Sequence, residues 1–75
     1  MLSNEELERR YTYHAPDEET RELHGFLRRQ ERRWAEVINN LPGESRELSA
    51  ALTKLEEAMF WAHAHIARNL HTEEI

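Results

Sequence analysis

The chain has no cysteine among its 75 residues, so neither a disulfide framework nor a Cys/His zinc site can staple it. Lysine is nearly absent too, because nine of the ten basic residues are arginine. Two prolines and two glycines leave few places for the chain to turn; the prolines and Gly43 fall in two short stretches, YHAP at 13–16 and LPG at 41–43. No apolar run approaches the roughly 20 residues that a membrane-spanning helix needs. The opening MLSNEELERR is too acidic and too polar for a signal peptide, so the protein is expected to stay in the cytosol. No hydroxyl sits beside a plausible base; Ser3, Ser45 and Ser49 read as caps or surface positions, and no catalytic group is expected.

What is present is charge, at 33% of residues, and a hydrophobic fraction of 39%, a balance that suits a helical domain better than disorder. A chain this short buries little core by itself, and without disulfides or metal the remaining source of stability is oligomerisation. The net charge of −5 argues against a general nucleic-acid binder, which relies on an excess of cations. The distribution is more telling. Arg21, Arg28, Arg29, Arg32 and Arg33 lie in one segment, and the planar guanidinium fork suits a few discrete phosphates better than a diffuse polyanion. The competing reading is a solvated face with Glu22, Glu31 and Glu36 as intrahelical partners.

An all-α fold follows from the spacing. Ser3 and Glu6 fit a capping box and predict a short helix over about 4–10. Pro16 suits the first position of a long helix over about 16–39, with Asp17, Glu18 and Glu19 complementing its dipole. Leu23, Leu27, Trp34, Val37 and Leu41 form the expected stripe, interrupted by Gln30. The cluster Asn39, Asn40, Pro42 and Gly43 stops that helix, and Ser45 caps another over about 46–69. Two long helices and a short loop make an antiparallel hairpin within a single domain, 1–75.

In the last helix Leu48, Leu52, Leu55, Met59, Ala62 and Ile66 recur every three or four residues. Phe60 and Trp61 point elsewhere, leaving more apolar surface than a hairpin covers, while Ala51, Ala58, Ala62, Ala64 and Ala67 permit close approach. Self-association is expected through this helix, with Phe60, Trp61, Leu55 and Met59 at the interface. His63 and His65 are two apart and diverge, and His24 and His71 are no better placed, so no metal site is expected. Tyr13 stands outside any helical stripe, where its ring either stacks on a base beside the arginines or packs the loop onto the hairpin, with Tyr11 a competitor.

The words LTKLEEAMFWA and IARN in the last helix, YHAP at 13–16 and the LPGESRE turn resemble the phage anti-CBASS sponges, small proteins that sequester cyclic oligonucleotide alarm signals. A related helical hairpin occurs in phage anti-Thoeris sponges. The resemblance spans roughly residues 13–69 and implies a homo-hexamer, a trimer of dimers, in the cytoplasm of an infected bacterium. It implies cyclic dinucleotides bound between protomers, with Tyr13 stacked on a base and Arg28 on phosphate, Arg32 being a further candidate on the same helix. His14 and Pro16 match as loop-shaping residues. Arg68 in IARN corresponds to an arginine of a separate cyclic trinucleotide pocket, and Gln30 stands near a position where some members place a small hydroxyl for that ligand. His63 and His65 depart from the family, which tends to carry an asparagine and a small residue there. The implied action is sequestration without cofactor, metal or catalysis. A structural adaptor hairpin would explain the same apolar surplus, and a regulatory enzyme subunit is a third class with no active-site residue in its favour.

Overall fold

The computed structural model describes residues 1–13 and 15–70. His14 and His71 therefore lie outside the described residues. Three helices follow in order, α1 (Asn4–Tyr11), α2 (Glu18–Asn39) and α3 (Arg46–Asn69), with no strand among the described residues. Each begins at a side-chain cap. Ser3 Oγ accepts from the Glu6 amide at 3.0 Å, but Glu6 does not reach back to close the box; its carboxylate takes Arg9 and Arg10 instead. The box that does close is at α2, where Asp17 Oδ1 accepts from the Thr20 amide at 2.9 Å and Thr20 Oγ1 accepts from the Asp17 amide at 3.0 Å. This corrects the expected start at Pro16. Asp17 satisfies an orphan amide that proline cannot, so the helix begins at Glu18 and Pro16 stays in the extended lead-in.

At the other end of α2 the Asn40 amide and side chain both donate to the Glu36 carbonyl, at 3.1 and 2.7 Å. Gly43 then turns the chain at φ +93°, a conformation that L side chains rarely adopt. Ser45 Oγ accepts from the Leu48 amide at 3.3 Å and opens α3. The hairpin between α2 and α3 is the main packing of the molecule.

The α3 stripe packs as expected, with Leu48, Leu52, Leu55, Met59 and Ala62 half-buried and Ile66 buried. The α2 stripe does not. Leu27 is half-buried, but Trp34, Val37 and Leu41 are 59%, 53% and 51% exposed, and Leu23 is also open. The row that turns inward is Thr20, His24, Leu27, Glu31, Ala35 and Ile38, one helical row around. Ala35 lets the helices approach and His24 finds a partner across the seam, so packing selects a row with less hydrocarbon than its neighbour.

The result is thin. The Cα trace measures 53 × 33 × 11 Å with a radius of gyration of 16.1 Å, whereas a compact chain of this length would be near 11 Å. Its accessible surface of 6349 Å² exceeds the roughly 4,900 Å² expected of a folded 9.0 kDa monomer. Ile66 is the one buried hydrophobic residue among those described.

Candidate functional site

The loop between α1 and α2 crosses the open end of the hairpin, where the chain termini of α2 and α3 meet. α1 is fastened there by Arg9, whose Nη1 donates to Asn69 Oδ1 at the end of α3, at 2.5 Å. Between these elements lies a concavity of about 350 Å³. Ile66 and Thr20 form its buried side, Tyr13 comes from the loop, His24 from α2, Arg68 from α3 and Arg10 from α1. Two arginines line it and no described carboxylate does, in a chain where acids outnumber bases 15 to 10. Such a surface attracts an anion. Tyr13 is 81% exposed and lines the concavity, whereas Tyr11 lies off it.

His24 and His63 form the contact that the sequence hid. Their Nδ1 atoms are 2.5 Å apart, with ring centroids 4.8 Å apart and an interplanar angle of 10°. The centroid separation exceeds the nitrogen contact by about two ring radii, so the rings meet edge to edge, nearly coplanar, as a hydrogen-bonded pair. One Nδ1 carries the proton and the other accepts it. Burial first, then the neighbouring His63 and Arg28, hold the His24 pKa below its ordinary value, so the neutral ring is favoured. Glu6 moves the same way for a different cause: hydrogen bonds from Arg9 and then Arg10 keep its carboxyl ionised.

The other expected ligand residues lie elsewhere in the chain. Arg28 and Arg32 share a second depression of about 550 Å³ with Leu52 and Leu55, but there Glu31, Glu36 and Glu56 balance the charge. Arg32 Nε is 3.0 Å from Glu36 Oε2. Gln30 sits with Arg29, Arg32 and Arg33 on a more open surface. Within one chain, then, Tyr13 and Arg28 do not share a cavity, and Tyr13 and Arg68 do. Phe60 and Trp61 meet at a T-shaped angle of 79° and are 62% and 61% exposed, as an interface patch would be. Leu55 and Met59, expected with them, are half-buried on the stripe that meets α2 and serve the hairpin first.

The sequence reading missed Arg10, Thr20 and the histidine pair. Thr20 was legible as the third residue after Asp17; Arg10 and His24–His63 depend on separations of tens of residues that spacing cannot reveal. No described group of three or more His, Cys, Asp or Glu side chains is arranged to hold a metal.

Residues 3–67 match the family model described as Acb2/Tad1, hairpin domain. No curated protein and no solved structure matches the chain.

Proposed function

Because the chain belongs to the Acb2/Tad1 hairpin family, the phage anti-CBASS and anti-Thoeris sponges, we propose that it sequesters cyclic dinucleotides, and cyclic trinucleotides as a second ligand, without degrading them. The observation that carries the reading is the concavity with an exposed tyrosine and two arginines and no described carboxylate. A cyclic dinucleotide brings two phosphodiesters and two base faces, which are the partners those groups want. Stacking on an aromatic ring is typically worth about 1–3 kcal/mol per base. A hydrogen bond to a charged group adds about 1.5–3 kcal/mol.

A cavity of about 350 Å³ stands near the lower end of the range for small-molecule pockets, roughly 300–1,000 Å³, and a cyclic dinucleotide is large for it. A second chain would supply the missing wall. The exposed row of Trp34, Val37 and Leu41 and the Phe60–Trp61 patch support assembly of several copies, for which we propose a homo-hexamer acting in the cytoplasm of the infected host. In such an assembly Arg28 and Arg32 of one copy can serve the cavity of another, which reconciles their separation from Tyr13 within one chain.

Holding a ligand needs no bond broken, and the site has donors and a stacking face in place of an activated nucleophile. Calorimetric titration with cyclic di-adenylate, cyclic guanylate–adenylate, cyclic tri-adenylate and linear controls tests the reading. Binding of cyclic ligands, followed by protease digestion and recovery of the intact ring, is the expected result. Linear products would mean an enzyme, and absence of heat with every cyclic ligand would favour an adaptor hairpin.

A further inference from the structure

Of the residues around the Tyr13 concavity, Arg10 is the one that α1 contributes. An eight-residue helix is too short to be stable in isolation, yet this one is held at both of its working points. Arg9 Nη1 reaches across to Asn69 on α3 at 2.5 Å. Glu6 then receives Arg9 Nη2 at 2.6 Å and Arg10 Nε at 2.5 Å. The two arginines of α1 therefore have separate tasks, one facing the hairpin and the other the cavity.

Engagement through Nε leaves both terminal amino groups of Arg10 without an acceptor among the described residues. Those two groups are the fork that grips phosphate or carboxylate oxygens. Glu6 itself does not line the concavity, so its negative charge orients Arg10 without occupying the space a ligand would fill. Across the same cavity stands Arg68, half-buried, from the far end of the chain. Two guanidinium groups lining one small cavity repel each other until an anion enters. An ordinary helix-surface arginine paired at four residues has no need to line a cavity at all.

We propose that α1 is an arm that delivers Arg10 to the bound ligand as a second phosphate-gripping guanidinium beside Arg68, with Glu6 as its positioning residue and the Arg9–Asn69 bond as the fastening. This rests on the sponge reading given above. The ligand it selects is one with two phosphodiester anions within a small ring, since a single phosphate would leave one guanidinium unmatched.

Calorimetry on the full chain with cyclic di-adenylate and cyclic guanylate–adenylate tests the proposal, after helicity and oligomeric state of each variant are matched to the parent. Arg10→Ala is expected to weaken binding tenfold or more, and Arg10→Lys to recover part of the loss. Glu6→Gln is expected to weaken binding in the parent and to have no further effect in the Arg10→Ala background, the coupling that a positioning role requires. Lys54→Ala, which removes a charge from an exposed pair with Glu57, should change nothing. Unaltered affinity in Arg10→Ala alongside a loss in Tyr13→Ala would overturn the arm and leave the sponge standing. A parent that binds neither cyclic ligand would overturn the sponge reading and the arm together.

Discussion

Acidification should loosen the hairpin through His24. Its ring and that of His63 meet Nδ1 to Nδ1 at 2.5 Å, so the contact holds one proton between two nitrogens. A second would set N–H against N–H. Two neighbouring groups disfavour its protonation: His63 across the seam on α3 and Arg28 one turn further along α2. Burial acts in the same direction and is the largest cause. The folded-state pKa therefore lies below the unfolded value of about 6.5. As pH falls, the unfolded chain takes up the proton before the folded one does. The stability contributed by neutral His24 is fully present above about pH 6.5 and is lost as pH drops through the folded pKa. For one proton the loss is no steeper than about 1.4 kcal/mol per pH unit. In a domain of this size each kcal/mol moves the melting midpoint by about 4–8 °C. Thermal unfolding followed by circular dichroism from about pH 7.5 to 5, on the parent and on His24→Gln, measures it; the glutamine variant should give a flatter profile through the histidine range. Parallel profiles for the two proteins, or an NMR titration midpoint for His24 at or above about 6.5 in the folded chain, would refute the reasoning.

Four further outcomes are expected. Tyr13→Ala should weaken cyclic dinucleotide binding by about 1–3 kcal/mol, or roughly 5- to 150-fold, while Tyr13→Phe keeps most of it because the ring face persists. Arg68→Ala should weaken the same ligand, since Arg68 and Tyr13 line one concavity; loss confined to a trinucleotide would place Arg68 in a separate pocket. Ile66→Ala should cost about 2–5 kcal/mol in denaturant unfolding and Ile66→Val about 0.5–1.5, because Ile66 is the one buried hydrophobic residue among those described. Light scattering after size exclusion at micromolar concentration should report an assembly of several chains, and a stable monomer of 9.0 kDa would be incompatible with the proposed hexamer.

The helices were legible in the sequence because their punctuation is local. Ser3, Ser45, Gly43 and the Asn39–Asn40 pair act within four residues of where they stand, and each marks the end of a helix or the turn between two. Asp17 was read only as a dipole complement, since its capping role depends on Thr20 answering it. The α3 stripe was legible because its apolar row is also its packing row. On α2 those two rows differ: the hydrocarbon lies at Leu23, Trp34, Val37 and Leu41, and the packing at His24, Glu31, Ala35 and Ile38. Periodicity finds where hydrophobic residues are, and a single chain does not have to bury all of them against itself. The place of Tyr13 in the loop was legible because it stands outside every stripe. Arg10 was not, because nothing within ten residues of it signals that Asn69 will come alongside Arg9.

A plate 11 Å thick has no interior that belongs to one chain alone. Where copies stack on such plates, stability becomes a property of concentration: each tenfold dilution removes up to about 1.4 kcal/mol per chain. A molecule built this way would hold its shape only where it is abundant, and its capacity to retain a ligand would rise and fall with the number of its own neighbours.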